Sequence, residues 1–176
     1  EHGPVEALFT ISEETGLDGA FGLDISMLQG RRLINLDSEE EGVFYIGSAG
    51  GGEIIGSAMP EWEAFEQAEA ASPESRKLTA WDVTFTNFAG GHSGGEIHQG
   101  RANAVKEAVR FLKEITRNHS IQLISLNGGT KRNVIPSHCS AQFVIPAGTE
   151  AYLSEKVEDH MKILSDEYSY TDPNAV

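Results

Sequence analysis

The hydrophobic pattern changes its period near the middle of the chain. Between residues 78 and 88 apolar and polar side chains alternate, with Trp81, Val83 and Phe85 on one face, and this alternation predicts a half-buried strand. From residue 102 to residue 115 apolar side chains recur at helical spacing instead. The predicted buried face of that helix consists of Ala102, Val105, Ala108, Val109, Leu112 and Ile115. A strand therefore leads into a helix through the glycine-rich segment between them.

The same two periods recur in the remainder of the chain. Residues 121–127 predict a strand, residues 134–145 predict another through their alternation, and residues 153–168 keep helical spacing. Thr149 is placed to cap the N-terminus of that second helix. The order strand, helix, strand, strand, helix is that of a ferredoxin-like βαββαβ unit, which is an α+β fold with an antiparallel sheet. Its last strand would begin near Val176, or the extended segment 53–59 would supply the missing edge.

The N-terminal part carries a different pattern. Residues 5–11 and 32–37 are apolar runs that predict two buried strands, and residues 17–28 between them predict a short helix that glycines interrupt. Strand, helix and strand over this length form a βαβ unit with a parallel sheet. Ligands bind beyond the carboxyl ends of such strands. Glu13 and Glu14 follow the first predicted strand, and Asp37 closes the second.

The charge of the chain is divided unevenly. Residues 1–75 hold 16 acidic and 2 basic side chains, whereas residues 76–176 hold 11 of each sign, so the first part carries the whole net charge of −14. This shift suggests two parts of different origin. The segment 60–75 between them is ambiguous between helix and strand. So acidic a chain makes nucleic acid an unfavourable partner, because binding to phosphates needs a basic surface.

Length and composition restrict the class of protein further. A chain of 176 residues suits one domain, or one domain and a piece of another. It contains no apolar run of roughly 18 residues, as a membrane span would require. The single Cys139 excludes an internal disulfide framework and fits a reducing compartment.

Three carboxylates are the first candidates for chemistry. Adjacent acids such as Glu13 and Glu14 can have different roles: one can bind a metal ion while the other takes a proton from the metal-bound water. A solvated turn or a helix N-terminus, where acids are favoured, explains the pair as well. Asp37 offers a hard oxygen ligand for a divalent cation, although zinc usually takes histidine ligands too.

Two loops supply the other candidates. His92 lies between glycine pairs in GGHSGG and is placed to donate a hydrogen bond to a carbonyl oxygen or an oxyanion, unless the backbone simply holds it in the loop. The loop lacks the GxxxxGK[ST] and GxGxxG patterns of phosphate-binding loops. In the turn NGGTKRNVIP, Arg132 and Asn133 are suited to bind a substrate carboxylate or amide, but a plain hairpin turn explains the sequence equally well.

Four segments in fixed order carry a resemblance to a known family. FTISEETGLDGAFGL, LINLDSE, AGGHSGGEIHQGRANA and NGGTKRNVIP resemble the aminoacyl-histidine dipeptidases, which belong to the di-zinc aminoacylase and carboxypeptidase family of metallopeptidases. The resemblance extends from Val5 to about Ile145. It implies an α/β catalytic domain interrupted by a βαββαβ lid, so that residues 1–47 would be a catalytic-domain fragment and residues 48–176 the lid or dimerisation domain.

The resemblance also implies roles for the candidate residues. Glu13 matches the general base, Glu14 a zinc ligand, and Asp37 a ligand of the second zinc ion. His92 matches the lid histidine that meets the scissile carbonyl, which in dimeric relatives reaches across the subunit interface. The adjoining turn of the lid contacts substrate through residues that match Asn133 and Arg132.

One departure from the family limits what this chain does alone. The family completes its two zinc sites with an upstream His-x-Asp motif and a downstream histidine, and no His-x-Asp occurs in this sequence. We therefore expect a segment of a cytoplasmic, homodimeric zinc dipeptidase that cleaves dipeptides with C-terminal histidine, binds neither nucleic acid nor membrane, and is inactive in isolation. The alternative is a non-catalytic lid that acts as a dimerisation or interaction module.

Overall fold

The structure is a computed structural model, which describes residues 2–37, 40–48, 50, 52–62, 64 and 77–176. The chain divides into two compact units, Glu1–Ala58 and Met59–Val176. Most of the ambiguous segment 60–75 lies outside the described residues. No helix in the described part of the chain is long and apolar enough to cross a membrane.

The first unit contains short helical segments. Helix α1 spans Glu13–Gly16, helix α2 spans Asp18–Phe21, and Ile25–Met27 form a single 3₁₀ turn. Ser12 precedes α1 and Leu17 follows it, and both adopt left-handed backbone angles, with φ of 59° and 61°. These angles are not helical, so they limit α1 to a single turn. The helix predicted over residues 17–28 is thus broken into α2 and the 3₁₀ turn.

The strands predicted in the first unit are not present in its described residues. Residues 5–11 and 32–37 form no strand, so the parallel βαβ arrangement predicted for residues 1–47 is not observed. The segment 53–59 forms no strand either. Phe9 is 91% exposed. A strand needs a hydrogen-bonded neighbour, and an apolar run without one has no sheet in which to bury its side chains.

The second unit is built around an antiparallel sheet. The elements of this unit are β1 (Leu78–Phe85), β2 (Gly91–His92), α3 (Ala104–Ile115), β3 (Gln122–Gly128), β4 (Val134–Ile135), β5 (Cys139–Pro146) and α4 (Glu150–Tyr168). The main sheet has the order β1-β5-β3 with both pairings antiparallel, and β2 pairs with β4 separately. This arrangement confirms the predicted α+β class with an antiparallel sheet.

The core lies between the sheet and α3, with α4 packed beside α3. The side chains that are at most 4% exposed include Phe85, Phe111, Ile115, Phe143, Ile145 and Leu164. Within this core Glu107 is buried, accepting a hydrogen bond from the Tyr168 hydroxyl at 3.1 Å, and its Oε2 lies 3.4 Å from His160 Nε2. This polar contact links α3 to α4, since buried polar groups need partners.

The last residue of the chain pairs with the residue after β1. Thr86 N–H donates to the Val176 carbonyl at 2.8 Å, and Val176 N–H donates back to the Thr86 carbonyl at 3.1 Å. Reciprocal bonds of this kind define an antiparallel pair. Val176 therefore takes a strand-like position where the βαββαβ order predicts that a final strand begins.

Several details of the sequence prediction are wrong in this unit. Thr149 stands at the N-cap of α4, but its hydroxyl donates to the Pro146 carbonyl at 2.8 Å and makes no capping hydrogen bond to the helix. The single strand predicted over residues 134–145 is two strands, β4 and β5, interrupted at Pro136, which has no N–H to donate. Val109 is 47% exposed, because it lies outside the side of α3 that faces the core. The buried positions of α3 are Ala104, Glu107, Ala108, Phe111, Leu112 and Ile115.

This orientation of α3 predicts that two side-chain truncations in the same helix lower the free energy of unfolding by different amounts. Ile115 is fully buried, so Ile115→Ala is expected to lower the free energy of unfolding by about 2–5 kcal/mol. Val109→Ala is the matched control and is expected to change it by no more than about 0.5 kcal/mol. Denaturant unfolding of the 176-residue chain, followed by circular dichroism, measures both. A similar loss for the two variants would contradict the observed orientation.

Candidate functional site

Backbone pairing joins the two loops that the sequence analysis selected. We call residues 90–101 the histidine loop and residues 128–133 the Asn133 turn. His92 pairs with Val134 across the β2–β4 ladder, and Ser93 N–H donates to the Asn133 carbonyl at 2.9 Å. Two motifs that lie some 40 residues apart in the sequence thus form one structure.

The glycines that follow His92 determine which ring nitrogen carries the proton. The N–H groups of Gly94 and Gly95 both donate to His92 Nδ1, each at 3.1 Å. A ring nitrogen that accepts hydrogen bonds carries no proton, so the neutral imidazole presents its N–H at Nε2. The His92 side chain is exposed. The ring is therefore oriented as a hydrogen-bond donor through Nε2.

Steric contact explains the glycine at position 94. A Cβ atom there would lie 3.1 Å from Cε1 and 3.2 Å from Nδ1 of the His92 ring, closer than most real Cβ contacts. With any other residue here, the ring would have to shift by a few tenths of an ångström. The glycine at position 94 therefore leaves room for the ring to accept from both N–H groups.

Glu96 and Arg101 brace the histidine loop internally. Glu96 Oε2 accepts from His92 N–H at 2.8 Å, and Glu96 Oε1 lies 2.8 Å from Arg101 Nη2. Arg101 Nη1 donates to the Gly90 carbonyl at 2.6 Å. At Gly91, where φ is 132°, a Cβ atom would collide with both the Arg101 guanidinium and the Glu96 carboxylate. The hydrogen bond from His92 N–H, and then the Arg101 charge, lower the pKa of Glu96.

Asp172 holds both ends of the histidine loop. Its Oδ1 accepts from Ala89 N–H at 2.7 Å, and its Oδ2 accepts from Ala102 N–H at 2.9 Å. The Asp172 side chain comes from the segment after α4 and is only 3% exposed. This residue was not predicted from the sequence, because no local motif marks a carboxylate whose partner lies 70 residues away.

Glu96 and Arg101 were not predicted from the sequence either. A signal for Glu96 was present, since an acid four residues after a histidine in a glycine-rich loop can reach back to the backbone of that histidine. Arg132 is exposed and Asn133 is half-buried, and both lie in the Asn133 turn beside His92. Their predicted contact with substrate stays a prediction.

The predicted metal-binding and base residues belong to the first unit. Glu13 and Glu14 occupy the first turn of α1, Asp37 lies in a segment without regular structure, and all three are exposed. Among the described residues, no group of three or more His, Cys, Asp or Glu side chains is arranged to hold a metal ion. Two carboxylates are too few to complete a tetrahedral zinc site, so the described residues do not form one.

The fold and this site together define an antiparallel α+β domain that presents an oriented histidine. A profile of the peptidase dimerisation domain matches residues 83–172, just over half of the chain. The chain therefore belongs to the peptidase dimerisation domain family. The matched region contains the whole histidine loop and ends at Asp172.

Two relatives extend the likeness beyond this domain. Cytosol non-specific dipeptidase of Escherichia coli strain K12 is 42% identical over 173 residues, which is 98% of this chain and 34% of that protein. The crystal structure of aminoacylhistidine dipeptidase from Vibrio alginolyticus matches with a TM-score of 0.66 and 34% identity, over 95% of this chain and 32% of that one. The chain thus spans about a third of the length of both relatives, which are named as dipeptidases.

The bracing of the histidine loop by Glu96 predicts a pH dependence. Because the pKa of Glu96 is lowered in the folded chain, its hydrogen bond to His92 N–H is expected to persist at and above the usual pKa of glutamate. The bond is lost only as the pH falls through the lowered value. The amide shift of His92 in an NMR titration of the chain measures the transition, and Glu96→Gln should remove it. A midpoint at or above the usual glutamate value would contradict the bracing.

Proposed function

We propose that this chain is a segment of a longer, cytoplasmic, zinc-dependent dipeptidase that hydrolyses dipeptides with a C-terminal histidine. In this proposal residues 48–176 act as the lid and dimerisation domain, and residues 1–47 belong to the catalytic domain. The observation that supports it most is the orientation of His92, whose Nδ1 is occupied by Gly94 and Gly95. The names of the two relatives support the reaction class, and one of them includes aminoacylhistidine.

His92 would stabilise the transition state of peptide hydrolysis. As water adds to the scissile carbonyl, negative charge develops on its oxygen, and the Nε2–H of His92 would donate a hydrogen bond to that oxygen. A donor of this kind is worth roughly 10²–10³ in kcat. The loop is braced before substrate arrives, so little reorganisation would accompany the reaction.

The Asn133 turn would bind the substrate end that does not react. A dipeptide has a carboxylate one residue from its scissile bond, and the side chains of Arg132 and Asn133 offer donors suited to a carboxylate or an amide. The pairing of β2 with β4 fixes these residues beside His92. One structure would therefore hold both the carboxylate and the carbonyl of a short substrate.

The first unit would contribute the carboxylates. Glu13 would take a proton from the attacking water and pass it to the leaving amine, as a general base and acid. Glu14 and Asp37 would each contribute one zinc ligand, and the remaining ligands would come from parts of the protein outside this chain. On this account the 176-residue chain alone has no dipeptidase activity.

The second candidate function is a non-catalytic dimerisation or interaction module, which the family to which the chain belongs favours. The two functions differ in what His92 does, because an interaction module has no use for an oriented donor. In the first proposal two copies pair through their lids, and each His92 serves the active site of the partner subunit.

A subunit-mixing experiment on the full-length protein tests the proposal. His92→Ala is expected to lower kcat by about 10²–10³-fold, since one oxyanion donor is lost. Glu13→Gln is expected to lower it by at least about 10²-fold, since a general base is lost. His98→Ala, which changes an exposed histidine of the same loop, is the matched control and should retain activity. Turnover of a dipeptide with C-terminal histidine measures all three.

Mixing the His92→Ala and Glu13→Gln proteins then locates the action of His92. If His92 serves the partner subunit, a mixed dimer places both defects in one site and leaves the other site intact, so activity returns after subunit exchange. No return of activity, with exchange verified, would show that His92 does not act across the interface. Unchanged kcat in His92→Ala would leave the interaction module as the better account.

A further inference from the structure

A single buried carboxylate ties together the two ends of the histidine loop. Asp172 Oδ1 and Oδ2 accept from the N–H groups of Ala89 and Ala102 at 2.7 and 2.9 Å. Asp172 is 3% exposed and Ala102 is 1% exposed. A buried carboxylate is costly unless its oxygens accept hydrogen bonds, and here each oxygen accepts one from a different end of the loop.

Asp172 is itself held by its surroundings. Its N–H donates to the Tyr168 carbonyl at 2.8 Å, at the C-terminal end of α4, and its carbonyl accepts from Ala175 N–H at 3.0 Å. Four residues further on, Val176 pairs with Thr86 just after β1. The carboxylate is therefore fixed to both the helix and the sheet.

A series of hydrogen bonds leads from Asp172 to the His92 ring. Arg101 and Gly90, the residues next to the two anchored positions, are joined to each other at 2.6 Å. Arg101 also contacts Glu96, which accepts from His92 N–H, and the His92 ring accepts from the next glycines. Each contact in the series shares a residue, or a peptide bond, with the next.

We propose that Asp172 is a positioning residue for His92, which sets where the Nε2–H donor stands relative to the substrate carbonyl. The inference rests on the proposed function of His92 and adds to it a residue from the far end of the domain. Asp172 itself does not touch substrate. It acts by closing the histidine loop at its base.

The chemistry requires a carboxylate and not merely a polar side chain of the same shape. Both donors are backbone N–H groups, so both oxygens of Asp172 must accept. In Asp172→Asn one position becomes an NH₂ group, which would face an N–H donor. One end of the loop would therefore be released while the shape of the side chain is kept.

Kinetics of the full-length enzyme test this role. We expect Asp172→Asn to lower kcat by about 10–100-fold, since small misplacements of a reacting group have effects of this order, and to leave KM within about threefold. Asp166→Asn, an exposed aspartate on α4, is the matched control and should have wild-type kcat. In a His92→Ala background, Asp172→Asn should lower kcat no further, because the group that Asp172 positions is already gone.

The outcomes separate this inference from the proposed function. Wild-type kcat for His92→Ala would overturn the proposed function and, with it, this inference. A defective His92→Ala protein beside normal kcat for Asp172→Asn would overturn the inference alone. A full additional loss of kcat in the double variant would also overturn it, since Asp172 would then act by a route other than His92.

A measurement on the unchanged chain covers the case in which Asp172→Asn does not fold. Amide hydrogen exchange of the wild-type chain reports the Ala102 N–H that Asp172 holds and the Gly94 and Gly95 N–H groups that His92 holds. If closing the base of the loop holds the ring in place, all three amides should be protected and should open together. Protection of Ala102 with free exchange at Gly94 and Gly95 would overturn the inference.

Discussion

The two-residue ladder between β2 and β4 is the interaction on which the candidate site depends. It places His92 beside the Asn133 turn, and the hydrogen bond from Ser93 to Asn133 extends it. So short a ladder is not stable by itself in water. Its stability must come from what surrounds it: the main sheet that leads into both loops, the salt bridge between Glu96 and Arg101, and the carboxylate of Asp172. The fold of the second unit thus supports a small and otherwise marginal structure.

The sequence predicted the second unit well because its elements carry strong periods. Alternation in β1 and helical spacing in α3 and α4 reflect burial against one face, and the structure buries most of those faces. The exposed members are Val109 on α3 and Val157 and Met161 on α4. The division of residues 134–145 into two strands escaped prediction, although Pro136 marks the break. In the first unit apolar runs predicted strands that are absent from its described residues. The hydrophobic pattern shows which side chains are stabilised by burial. A strand forms only where a neighbouring strand completes its backbone hydrogen bonds.

The site was predictable only in part. The glycines on both sides of His92 indicated that this residue is a candidate for function. Nothing in the sequence indicated which nitrogen of its ring carries the proton. That assignment comes from two backbone N–H groups whose direction depends on the folded loop. Asp172 could not be found from local sequence at all, because its partners are 70 and 83 residues away. The proposed roles of Glu13, Glu14 and Asp37 come from resemblance, and they concern a metal site that the described residues do not form.

The central claim is that the folded loop presents His92 as a donor through Nε2. Long-range proton–nitrogen NMR spectra of the histidine-labelled chain, recorded at a pH at which the ring is neutral, identify the protonated nitrogen of His92 directly. The account predicts a proton on Nε2, with Nδ1 unprotonated and hydrogen-bonded to the amides of Gly94 and Gly95. A ring protonated mainly on Nδ1, or exchanging between the two tautomers as a free histidine does, would contradict it.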